Sequence, residues 1–132
     1  MMEAEEIRVR GCVVRYLALA LILCTIPAAF AHAVLLESTP AVHAKVEGVS
    51  CKVRLKFNLR VDGKRSRVIL VRPDRTTRTL PIDSQSSDSV LLGNLDHLTP
   101  GEHRIRWQVL AADGHISRGE VPFVVVAPTP QR

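Results

Sequence analysis

A two-sheet antiparallel β-sandwich is the fold class this sequence predicts, and three observations carry that expectation. Apolar residues recur at every second position in several short runs, turn-forming residues fall between the runs, and no comparable stretch repeats at helical spacing. The chain has 132 residues, of which 46% are hydrophobic and 4% aromatic. That suits one domain with a small core and excludes a multidomain enzyme with a large buried cleft.

The runs follow in order. Ala33 to Leu36 opens the pattern. Cys51, Val53, Leu55 and Phe57 then alternate with Lys52, Arg54 and Lys56, the signature of a strand with one wet face. Arg67 to Val71 is β-branched, Val90 to Leu92 is a shorter run, and Ile105, Trp107 and Val109 alternate with Arg104, Arg106 and Gln108. Val121 to Val126 closes the series. Asp62-Gly63, Arg72-Pro73-Asp74 and Thr99-Pro100-Gly101-Glu102 read as turns between runs, and Asp83 to Ser89 as a polar Ser-rich loop. Residues 127–132 read as a C-terminal tail.

Residues 1–31 read as a secretory signal peptide. Arg8, Arg10 and Arg15 form a basic start, Tyr16 to Ile26 an apolar stretch, and Ala29 and Ala31 occupy small-residue cleavage positions, so cleavage is predicted after Ala31. The apolar stretch is shorter than the roughly 20 residues of a membrane-spanning helix, and no membrane insertion is expected after cleavage. Cys24 is not expected to be lipidated, because Leu23 stands where such sites need a small residue.

Cleavage removes three Arg and three Glu, so the formal net charge of +5 is unchanged. The basic residues are dispersed, and only Phe57, Trp107 and Phe123 supply aromatics beyond residue 31, too few for base stacking; no nucleic-acid partner is expected. Cys51 is left as the single cysteine, either a small buried hydrophobe or a reactive or metal-binding thiol. Met1 and Met2 depart with the signal, leaving no thioether.

Cleavage after Ala31 makes His32 the first residue, whose α-amine and imidazole Nδ1 can close a chelate ring on one metal ion. Asp113 and His115, two apart on an extended segment, can face the same ion, with Gly114 allowing the backbone to bend. Nitrogen ligands completed by a carboxylate suit Cu(II). Two plainer readings stand beside this one: signal cleavage exposes whatever residue comes next, and Asp113-Gly114 is also a hairpin turn signal. His43 and His97 adjoin turn signals and His103 opens a strand, so these three are expected to be loop or solvent-facing residues rather than ligands.

Three segments resemble the periplasmic copper-resistance CopC family. They are His32-Ala33-Val34-Leu35-Leu36-Glu37-Ser38-Thr39-Pro40, Val53 to Asn58, and Leu98 to Val109 followed by Asp113-Gly114-His115 and Gly119 to Val126. The resemblance spans about residues 32–126. It implies an immunoglobulin-like or cupredoxin-like Greek-key sandwich in the periplasm. It also implies a Cu(II) ion held by the amine and imidazole of His32 with Asp113 and His115, and an inner-membrane partner of the CopD type. The chain departs from some members in having no methionine-rich Cu(I) site and in carrying Leu59 where they place a Glu.

The functional expectation is a copper carrier or buffer, monomeric and without enzymatic activity. Two alternatives remain at this point: an oxidative enzyme of the histidine-brace type and a metal-free exported interaction domain. The small size and single Trp weigh against a polymer-binding enzyme.

Overall fold

A computed structural model describes residues 32–83 and 86–130. The signal segment expected over 1–31, two residues of the Ser-rich loop and the last two of the tail lie outside the described residues. Eight strands form: β1 (Leu35–Thr39), β2 (Lys45–Glu47), β3 (Cys51–Phe57), β4 (Val61–Val71), β5 (Thr77–Leu80), β6 (Val90–Leu95), β7 (Gly101–Ala111) and β8 (Ile116–Val126). They build a three-stranded sheet in the order β1-β3-β6 and a five-stranded sheet in the order β2-β8-β7-β4-β5. Consecutive strands pair only in the β4–β5 and β7–β8 hairpins, and every other connection carries the chain from one sheet to the other.

The alternation in the sequence is the alternation of the faces. Val53, Leu55 and Phe57 of β3 point into the core with Leu91 and Leu95 of β6, against Val68, Leu70, Ile105, Val109, Val121 and Phe123 of the larger sheet. Lys52, Arg54 and Lys56 take the opposite face, where Arg54 and Lys56 share the Glu37 carboxylate across the β1–β3 pair at 3.1 and 2.9 Å. The dispersed basic residues are thus the outward half of a period-two pattern, in part neutralised within the fold.

Four expectations need correction. Asp62-Gly63 is not a turn but lies inside β4, where the pairing with β7 shifts register between Asp62 and Arg67. The Asp62 carboxylate accepts the backbone N–H groups of Lys64 and Arg65, so a turn-forming side chain builds a bulge within a strand. β2 and β5 escape the sequence pattern, β2 being three residues long and β5 burying only Leu80. The pairing is not wholly antiparallel either, since Lys45–Glu47 run parallel to Val124–Val126 at the sheet edge.

His103 is the fourth. The alternation of β7 extends back through it, so its ring is fully buried, stacked on Phe123 with centroids 5.4 Å apart. Its Nδ1 lies 3.1 Å from the Gly101 carbonyl, which fixes the proton there, and Nε2 has no hydrogen-bond partner among the described residues. Cys51, by contrast, is half-buried against the core at the start of β3, and burial pushes its thiol pKa up, away from a reactive thiolate.

Candidate metal centre

One end of the sandwich gathers the chemistry-bearing residues. The β7–β8 hairpin turns through Ala112, Asp113 and Gly114, closed by the Gly114 N–H donating to the Ala111 carbonyl at 2.9 Å and the Ala111 N–H donating to the His115 carbonyl at 2.8 Å. Gly114 sits at φ 88°, the left-handed position that such a three-residue loop requires. The turn reading and the ligand reading of Asp113-Gly114 therefore hold for the same residues: the hairpin presents Asp113 and His115 on its rim. The Ala112 N–H donates to the Arg60 carbonyl at 3.0 Å, tying the rim to the β3–β4 connection.

Asp113 is turned towards His115. Its Oδ1 accepts the His115 backbone N–H at 3.0 Å, and its Oδ2 lies 3.2 Å from His115 Nδ1. The backbone hydrogen bond from His115, with the neighbouring imidazole adding to it, holds the Asp113 carboxyl below the usual carboxylate range. Both side chains remain partly open to solvent.

His32, just ahead of β1, reaches the same end of the sandwich. Its ring stands edge-on to that of His115, with centroids 6.0 Å apart and planes at 90°. The lead into β1 is held at several points: the Ala33 N–H donates to Ser117 Oγ at 3.0 Å, the Val34 N–H to Asn58 Oδ1 at 2.8 Å, and the Asn58 N–H to the Val34 carbonyl at 3.1 Å. Asn58 Nδ2 donates to the His32 carbonyl at 3.5 Å. Sequence reasoning singled out neither Asn58 nor Ser117 for a role at the site. Both bonds join residues far apart in the chain, and Ser117 carries no local signal.

The three residues expected at the site are neighbours in pairs. Among the described residues, no group of three or more His, Cys, Asp and Glu side chains converges as a metal cluster. Two imidazoles and an ionised carboxylate at one rim offer nitrogen and oxygen donors to a small divalent cation, and a free amine on His32 would add a fourth donor from the backbone. Leu59 is packed against the core and offers no donor. His43 and His97 are exposed loop residues at φ 61° and 55°.

Residues 35–126 match the sequence model of the CopC domain. The chain is 30% identical over 102 residues to "Protein YobA" of Escherichia coli strain K12, covering 75% of this chain and 82% of that protein. Among solved structures, CopC from Methylosinus trichosporium OB3b superposes with a TM-score of 0.67 at 20% identity, covering 76% of this chain and all of that one. PcoC from Escherichia coli, described as a methionine-rich copper resistance protein, superposes at 0.58 and 20% identity, covering 73% of this chain and all of that one. At such identities the superpositions speak for the fold: an all-β sandwich in two layers.

Proposed function

The chain belongs to the CopC family, and on that footing we propose that it is a periplasmic copper-binding protein that holds Cu(II) through His32, Asp113 and His115. The observation that carries this reading is the meeting of two segments far apart in the sequence, the His32 ring against His115 and the Asp113 carboxylate on the same residue. The donors fit the ion, since imidazole nitrogens and carboxylate suit Cu(II), while Cu(I) prefers thiolate and thioether. Residues 32–132 contain no methionine, in contrast to the methionine-rich PcoC, so the reading is of a protein for the oxidised ion alone. Buffering, resistance or delivery to an inner-membrane protein of the CopD type would all use the same site.

A carrier fits better than an oxidative enzyme. Trp107 is the chain's one tryptophan and is buried at 7% exposure, so it offers no aromatic face to a polymeric substrate. Asp113 as an anionic ligand would also fill a position that oxygen chemistry needs open.

Competition titration of the chain beginning at His32 tests the ligand set. His32→Ala and His115→Ala are expected to weaken Cu(II) binding strongly, Asp113→Ala less, and His97→Ala not at all; equal affinities across the four variants would refute the assignment. The one-to-one complex should give a tetragonal electron paramagnetic resonance spectrum with nitrogen hyperfine structure.

A pH series gives a second check. Amine and imidazole nitrogens must shed protons to bind a metal, whereas the Asp113 carboxyl, held below its usual range, is already ionised in mild acid. Affinity should therefore fall as pH drops below neutrality, with the Asp113→Ala variant falling in parallel. A loss of pH dependence in that variant would contradict this assignment of the protons.

A further inference from the structure

Asn58 and Ser117 are, we propose, positioning residues that hold the N-terminal histidine against His115, so that the donors are gathered before a metal arrives. The purpose of this clamp rests on the Cu(II) reading, while its geometry rests on separate observations. Residues 32–34 lie ahead of β1 and outside the β1–β3 ladder, whose last rung is Leu35 with Phe57. Burial does little to fix them: His32 is exposed, Val34 is 53% exposed, and Ala33 turns only a methyl group into the core. A chain lead with so little buried surface frays unless hydrogen bonds tie it down.

Asn58 supplies those bonds on the β3 side. It follows directly on β3, and its side-chain oxygen accepts the Val34 N–H while its own backbone N–H donates to the Val34 carbonyl. The pair is reciprocal, as in a rung of an antiparallel ladder, with the Asn58 amide standing in for one backbone group. Its Nδ2 reaches on to the His32 carbonyl. Both a donor and an acceptor are in use, which an ionised carboxylate at this position cannot reproduce in full.

Ser117 acts from the other sheet. Its buried hydroxyl accepts the Ala33 N–H, and it lies two residues beyond His115 on β8. The shortest path between the two histidines therefore runs through a single hydrogen bond, from His32 to Ala33, across to Ser117, and back through Ile116 to His115. The β1–β3 pairing also shifts register between Leu35 and Glu37, leaving Leu36 unpaired at the point where the lead departs from the regular ladder. Together the two residues fix the lead between the end of β3 and the start of β8.

The test uses the chain beginning at His32 with Asn58→Ala, Asn58→Asp and Ser117→Ala, read without metal and with Cu(II). Without metal, Asn58→Ala should speed hydrogen exchange at the Val34 amide at least tenfold and weaken the nuclear Overhauser contacts between the His32 and His115 rings. Ser117→Ala should do the same at Ala33. With Cu(II), Asn58→Ala should lose about tenfold in affinity, the scale of two modest hydrogen bonds, and its paramagnetic resonance spectrum should split into a mixture of species. Asn58→Asp, which keeps the acceptor for Val34, should recover both the amide protection and most of the affinity. Asn58 is exposed, so its variants are expected to keep the fold, and an unchanged melting temperature would show that they do.

Unchanged Val34 exchange in Asn58→Ala would overturn the proposal. So would an affinity and spectrum identical to the parent despite an unprotected amide. If the parent bound no Cu(II), while Asn58→Ala still lost the amide protection and the ring contact, the copper reading would fail and the clamp would stand.

Discussion

Adding one residue ahead of His32 is expected to weaken Cu(II) binding by about 10²- to 10⁴-fold, although every side-chain ligand is still present. The extra peptide bond converts the basic α-amine of His32 into an amide, whose lone pair is delocalised into the carbonyl, and the six-membered ring that the amine and imidazole Nδ1 would close on the metal is lost. The factor is the usual gain when a second binding group is tethered beside the first. The measurement is a competition titration of two chains, one beginning at His32 and one with a single residue before it. Mass spectrometry of the exported protein should then find His32 at the terminus. Equal affinity in the two chains, or a mature terminus elsewhere, would remove the amine from the site.

Gly119→Ala is expected to be the most damaging single-methyl change in the fold. A Cβ at this position would overlap Trp107 Cζ2 and come within 2.7 Å of Cε2. The indole has little room to retreat: Trp107 is 7% exposed and packs edge-on against Phe57, with ring centroids 5.2 Å apart. Gly119 and Trp107 are directly paired across β8 and β7, so relief would require the two strands to part. Overpacking of a rigid core side chain costs about 3 kcal/mol, which for a domain of this size lowers the melting temperature by roughly 15 °C. Gly48→Ala is the comparison, because a Cβ there meets nothing within 4 Å and only the backbone at φ 97° is strained. Its cost should be about 1 kcal/mol. Trp107 is the chain's one tryptophan, so its fluorescence reports on the contact itself. Equal melting temperatures for the two variants would show that the indole moves aside freely.

The parts of the fold that were legible in the sequence are those whose signal is local. β3 and β7 announce themselves because each buries every second residue over a long run. His103 belonged to the same alternation, but a residue that is usually solvated was expected at the surface, and the period of the strand overrode the habit of the side chain. β2 and β5 left little trace because their place comes from neighbours: one lies beside the end of β8 and the other pairs with β4 in a hairpin, with little burial of their own. Asp62-Gly63 misled because the same carboxylate-to-backbone bonds that make a turn also make a bulge. At the candidate site, the spacing of Asp113 and His115 suggested a shared side. The approach of His32 to His115 came from resemblance rather than from any local pattern, and the roles of Asn58 and Ser117 needed the folded chain.

The bond from Ala33 to Ser117 spans 84 positions in the sequence. A polypeptide emerges from the ribosome with its amino end first, so His32 is among the earliest residues of the domain to appear and His115 among the last. Closing so long a loop is entropically costly until the intervening strands have packed. A chain cut short before β8 would carry the amine-bearing histidine with nothing to meet it. Under the proposed reading, tight metal capture therefore certifies that the β7–β8 hairpin has been made and packed: a copy lacking it has a loose chelate to offer, and only a folded sandwich can compete for scarce ions.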